Sequence, residues 1–148
     1  MPTERSCGAI VFRKKEEFEY LLLHYEGLSG RGHWGFVKGL VEKNESEKET
    51  ALRELKEETS ITVAEIIGDF KEKINYVYRM GGKTIYKEVT YFLAEVYDDK
   101  VELSHEHDGY EWLSYEKASK RVPFKNAREV LTKANLFLNQ PENNWSPS

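Results

Sequence analysis

Three carboxylates dominate the chemistry available to this chain. In the run Glu45-Ser-Glu-Lys-Glu-Thr-Ala-Leu-Arg-Glu-Leu-Lys-Glu-Glu-Thr59, Glu54, Glu57 and Glu58 stand at i, i+3 and i+4. A helix presents residues at that spacing on one face within a single turn. Their like charges repel, at a cost on the order of a few tenths of a kcal/mol per pair, and a bound cation would reverse that sign. Hard oxygen ligands suit magnesium or manganese, which keep several waters and bridge to phosphate oxygens. The glutamates alone favour a solvated acidic helix face balanced by Lys48, Arg53 and Lys56, and the neighbouring residues must decide.

The elements that must position these groups are legible in outline. From Glu45 to Thr59 the run is rich in Glu, Lys, Ala and Leu and contains neither Gly nor Pro, which predicts a helix of about four turns. Ala51, Leu52 and Leu55 make an apolar stripe that would dock this helix on a sheet and fix where the carboxylates point. Upstream, Cys7–Phe12 and Phe18–Tyr25 are β-prone runs around the polar segment Arg13 to Glu17, and the Gly-rich stretch Gly27 to Gly39 is expected to be a loop. Downstream, Tyr76–Tyr78 and Thr84–Tyr86 flank Met80-Gly-Gly-Lys83, the punctuation of a long hairpin that continues to Val96. Gly109–Leu113 predicts a further strand, and Tyr115–Arg121 and Asn126–Leu138 predict helices on either side of Pro123. The expected class is α/β (α+β), with a mixed sheet covered by helices on its faces.

Composition narrows the partners. The 148 residues fit one domain, 1–148, with its core at about 5–139 and a frayed tail at 140–148. With 22 Lys+Arg against 26 Asp+Glu the net charge is −4, so no stable nucleic-acid complex and no anionic membrane is expected. A single cysteine, Cys7, excludes an internal disulfide and is expected to be a small buried residue. No apolar segment approaches the length of a membrane helix and the N-terminus has no signal-peptide pattern, so the expected location is the cytoplasm.

The spacing around the glutamates adds specificity. From Gly39 the order is five residues, Glu45, seven residues, then Arg53-Glu-Leu-Lys-Glu-Glu-Thr-Ser-Ile61, which resembles the Nudix box almost position for position. One fixed position departs: Ser60 stands where the family has a glycine that leaves the helix at positive φ. The resemblance implies an α/β/α sandwich in which Glu54, Glu57 and Glu58 carry metal, Arg53 orients the carboxylates by hydrogen bonds, and the Gly39 backbone approaches the metal.

Two flanking segments resemble the diadenosine tetraphosphate hydrolase branch of that family. One is His33-Trp-Gly-Phe-Val-Lys-Gly-Leu-Val-Glu42, where Val37 replaces a proline and Leu40 a histidine; the other is Leu103-Ser-His-Glu-His-Asp-Gly-Tyr-Glu-Trp-Leu113. By this resemblance Lys38 is a point charge for a substrate phosphate, His33 a phosphate hydrogen-bonding group, and Glu106 a general base or additional metal ligand. His105 and His107 are taken as loop architecture. Tyr76 matches an aromatic that stacks adenine, Phe124 could supply the facing ring, and Lys83 and Lys87 are candidate contacts for distal phosphates.

The implied activity is magnesium-dependent (manganese possible), asymmetric hydrolysis of diadenosine tetraphosphate or a related dinucleoside polyphosphate to ATP and AMP, by a monomer. Glu54, Glu58, Glu106 and Arg53 would carry the catalysis. Two alternatives remain at this point: a Nudix pyrophosphohydrolase acting on RNA 5′ ends or inositol pyrophosphates, and a nucleotide-binding module without turnover.

Overall fold

The computed structural model describes residues 3–27, 32–97 and 100–140. The segment 141–148, which makes up most of the expected tail, lies outside them. Strand β1 (Thr3–Lys14) is longer than its apolar centre predicts, because its first residues pair in parallel with β7 (Lys83–Val96), from Thr3↔Tyr86 to Phe12↔Glu95. β2 (Phe18–Tyr25) returns antiparallel to β1 across the polar turn. The segment expected to be a loop holds two short strands, β3 (His33–Gly35) on β2 and β4 (Val37–Leu40) on β1. Local composition does not forecast them, since the partners that satisfy their backbone groups come from other strands, β2 and β1.

β5 (Ala64–Ile66) and β6 (Glu72–Met80) both pair antiparallel with β7. The β6–β7 hairpin closes through Gly81 and Gly82 at φ 59° and 76°, a pair of positive values that only glycine adopts cheaply. β8 (His107–Ser114) lies antiparallel on β2. The sheet is therefore mixed, with β3-β2-β1-β7-β5 in order, β4 also on β1, β6 on β7 and β8 on β2.

Alternation along the central strands sends side chains to two cores. Ala9, Val11, Leu21 and Leu23 meet Leu55 of helix α1 (Glu47–Thr59) on one face. Ile10, Phe12, Tyr20 and Leu22 meet Ala118 of α2 (Tyr115–Arg121) and Leu131 of α3 (Lys125–Leu138) on the other. The result is the expected α/β/α sandwich with a mixed central sheet. Cys7 is buried, as its small size predicts, and so is Val37.

Helix α1 starts two residues later than Glu45. Ser46 caps it in a reciprocal box, its Oγ accepting from the Glu49 amide at 3.1 Å while the Glu49 carboxylate accepts from the Ser46 amide at 2.8 Å. The docking stripe also differs from expectation: Ala51 and Leu55 are buried, but Leu52 is 37% exposed, and Glu58 and Thr59 take buried places instead. At the exit Ser60 adopts φ 67°, the left-handed conformation that the family glycine would supply. Its amide donates to Lys56 O at 2.8 Å and its hydroxyl to Glu102 O at 3.1 Å.

Candidate active site

Arg53 organises the outer half of the site. Its Nε donates to Glu45 Oε2 at 2.5 Å, Nη2 to Glu45 Oε1 at 3.1 Å and to Leu40 O at 2.9 Å, and Nη1 to Glu54 Oε1 at 2.8 Å and Glu57 Oε2 at 3.1 Å. One planar fork thus links the strand end before α1 with two of the three helix glutamates, a geometry that an ammonium could not reproduce. Glu45 also accepts from Thr50 Oγ1 at 2.7 Å, and the Arg53 bond above all holds its carboxyl down at about 2.

Gly39 passes so close to Glu54 that a Cβ there would overlap the carboxylate. The glycine places main chain against the acid, and Glu54 is pushed up to about 7, first by burial and then by the neighbouring Glu58. Glu58 is 3% exposed and is likewise raised to about 7 by burial. Its Oε1 stands 3.1 Å from His107 Nε2 and receives the Tyr25 hydroxyl at 3.4 Å, while Oε2 has no hydrogen-bond partner.

The three glutamates are consequently not equivalent. Glu57 is turned toward solvent and Arg53, with a side chain 57% exposed, whereas Glu58 points into the protein. Among the described residues no group of three or more His, Cys, Asp or Glu side chains is already gathered as a metal shell. Helical spacing puts the three on neighbouring positions, with Glu58 packed inward and Glu57 drawn to Arg53.

The loop before β8 is stitched to the end of α1: the Glu102 amide donates to Thr59 O at 2.9 Å and the Ser104 amide to Glu58 O at 3.2 Å. Glu106, exposed on this loop, is near enough that its charge raises the Glu58 carboxyl. His107, taken from sequence as loop architecture, is instead buried against Glu58. Its loop setting hid it, as the apolar character of β2 hid Tyr25, whose hydroxyl also donates to Phe36 O.

Beside the carboxylates lies a cleft of about 410 Å³, lined by Tyr25, His33, Lys38, Tyr76 and Phe124 among others. That volume is within the range of small-molecule sites. His33 stacks on Tyr25 with ring centroids 5.2 Å apart and meets Phe124 edge-on at 5.2 Å. Lys38 Nζ donates to the Tyr76 hydroxyl at 3.4 Å, and burial lowers its pKa. Tyr76 and Phe124, expected as facing rings, do share this cleft, and Phe124 is 54% exposed at its mouth.

The two hairpin lysines do not line the cleft. Lys83 is exposed at the turn. Lys87 sits opposite Tyr76 in the β6–β7 register and its ammonium lies 3.5 Å from Glu4.

Comparison with known proteins gives concordant results. The NUDIX domain model matches residues 2–134. The bis(5′-nucleosyl)-tetraphosphatase [asymmetrical] of Mus musculus is 41% identical over 145 residues, covering 90% of this chain and 95% of that one. The Sus scrofa protein of the same name is 40% identical over the same shares. A crystal structure of a C. elegans Ap4A hydrolase binary complex superposes with a TM-score of 0.79 at 34% identity, covering 91% of this chain and 97% of the other.

Proposed function

The chain belongs to the Nudix family, and from that premise we propose that it is an enzyme hydrolysing diadenosine tetraphosphate asymmetrically to ATP and AMP. The observation that carries the reading is the double role of Tyr25: its ring lines the aromatic cleft while its hydroxyl reaches the buried Glu58. A base held in the cleft therefore presents its phosphates to the carboxylates.

Nudix hydrolases work with divalent metal ions, and this site suits one. Glu58 Oε2 is a buried acceptor without a partner. Glu54 and Glu58 are raised to about 7, both chiefly by burial and Glu54 also by Glu58, a strain that positive charge relieves. Gly39 leaves the room beside Glu54 that any side chain would fill. Gly39, Glu54, Glu57, Glu58 and Glu106 would hold the cation, magnesium with manganese able to substitute, which when bound supplies positive charge and Lewis acidity toward the phosphate oxygens.

The protein's own groups account for the remaining tasks. Tyr76 and Phe124 grip adenine between ring faces. Lys38 and His33 meet phosphate oxygens, the low pKa that burial and Lys38 impose on His33 making it a neutral hydrogen-bonding group. Arg53 keeps Glu45, Glu54 and Glu57 in register. Water attacks one phosphorus in line; its oxygen bonds to phosphorus, the bridging P–O bond breaks toward the leaving nucleotide, and Glu106 takes the proton. The enzyme acts as a cytoplasmic monomer without nucleic acid or membrane, a placement supported by the net charge of −4 and the lone buried Cys7.

Chromatography of diadenosine tetraphosphate incubated with magnesium tests this directly. Equimolar AMP and ATP from the wild type, lost in Glu58→Gln, is the expected result. Two ADP, or no turnover by a protein that binds the nucleotide, would overturn it.

A further inference from the structure

His107 lies outside the Nudix box, yet it makes the nearest approach to the most buried box carboxylate. The His107 and Glu58 side chains are 1% and 4% exposed, with Nε2 3.1 Å from Oε1. The ring is fixed on its other sides. Ser104 Oγ is 3.2 Å from Nδ1, and the Tyr25 ring stands edge-on with centroids 4.5 Å apart. When the Ser104 hydroxyl donates to Nδ1, the proton of the neutral imidazole is on Nε2, facing Glu58.

The approach is close but off the axis of a hydrogen bond. His107 Nε2 and Glu58 Oε2 are accordingly two of three buried side-chain polar atoms without a partner among the described residues. Folded proteins rarely leave two such atoms side by side unless a ligand completes the arrangement. The loop leading into His107, the first residue of β8, is itself bonded to the helix, through the Ser104 amide to Glu58 O. Backbone and side chain therefore hold the same glutamate from one segment.

We infer that His107 is a positioning residue: with a divalent cation bound, its Nε2–H closes onto Glu58 Oε1 from its present 3.1 Å approach, so that Oε2 is presented to the cation. The inference rests on the reading of Glu58 as a cation ligand. Such a partner behind a metal ligand characteristically contributes about 10- to 100-fold to metal affinity.

Manganese binding to the intact protein, followed by the loss of the free-ion paramagnetic resonance signal, reads this without turnover. Wild type, His107→Ala, His107→Gln, Ser104→Ala and Glu58→Gln are compared, each with its thermal melt. His107→Ala is expected to weaken manganese binding about 10- to 100-fold. His107→Gln, which keeps an N–H near Nε2, restores most of the affinity, and Ser104→Ala, which frees the ring, gives a smaller loss. A folded His107→Ala that binds manganese like wild type, while Glu58→Gln does not, overturns the inference and leaves the ligand reading standing. Wild-type binding by Glu58→Gln instead removes the ligand reading, and the inference with it. If His107→Ala does not fold, Ser104→Ala and His107→Gln decide: wild-type affinity in Ser104→Ala, or a Gln variant that folds but binds poorly, counts against the proposal.

Discussion

Arg53 grips Glu45 through two contacts, Nε to Oε2 at 2.5 Å and Nη2 to Oε1 at 3.1 Å, and extends the same guanidinium to Glu54 at 2.8 Å. The arginine connects a loop acid outside the helix to a helix acid beside Gly39, so its planar fork fixes two elements at once. An ammonium at this position keeps the charge but can hold only one of these partners in line. Arg53→Lys is therefore expected to lower kcat for diadenosine tetraphosphate by about 10- to 100-fold with a folded protein, as measured by steady-state kinetics beside circular dichroism. A kcat within about twofold of wild type would show that the fork does not orient the carboxylates.

Gly39 tests the same geometry from the opposite side. A methyl group at this position overlaps the Glu54 carboxylate, which the Arg53 fork does not leave free to swing away. Gly39→Ala is expected to cost at least about tenfold in kcat and to raise the magnesium concentration needed for half-maximal rate. Because Gly39 sits on β4 near the strand's exposed end, the melting temperature should change less than activity does. Equal activity at ordinary magnesium levels would mean that Glu54 does not depend on this close approach.

The raised carboxyls make stability depend on pH with a defined sign. Glu54 and Glu58 have folded pKa values of about 7, above the ordinary 4.5, mainly because burial disfavours their charge. The folded state thus binds these protons more tightly than the unfolded chain does. Their contribution is fully present below pH 4.5 and is lost as pH rises through 7. In chelator, the melting temperature should fall between pH 6 and pH 8, and excess magnesium should restore it at pH 8 by stabilising the charged pair. A chelated protein whose melting temperature rises over that interval would contradict the assignment of these two groups.

The site was legible in sequence to the extent that local spacing defines it. The α1 glutamates, Arg53 and Gly39 lie within one continuous segment, and helical periodicity with the Nudix resemblance identifies them together. The Gly81–Gly82 hairpin was equally local. What escaped depends on contacts between distant strands. β3 and β4 exist because β2 and β1 supply their backbone partners, and Tyr25 and His107 reach Glu58 only when β2 and β8 lie side by side. Leu52 misled because an apolar residue at the right helical spacing was assumed to face the sheet, while Glu58, a charged residue, takes the buried place. A buried acid breaks the apolar-inside pattern on which such reasoning rests.

Tyr76 and Phe124 give the sharpest test of where the base sits. They line one cleft from different elements, Tyr76 on β6 and Phe124 at the start of α3, and neither is needed to hold the carboxylates. Stacking of a base on an aromatic ring is worth about 1 to 3 kcal/mol by truncation, or roughly 5- to 150-fold in affinity. Phe124→Ala and Tyr76→Ala should therefore raise KM within that range while changing kcat much less. Phe124 is already 54% exposed, so its truncation leaves little cavity and the melting temperature should hold. Tyr76→Phe separates the ring from the hydroxyl, which accepts from Lys38 Nζ at 3.4 Å. If the ring grips the base, KM stays near wild type in Tyr76→Phe and rises in Tyr76→Ala. If both variants rise together, the hydroxyl and its lysine carry the contact, and the adenine lies elsewhere in the cleft.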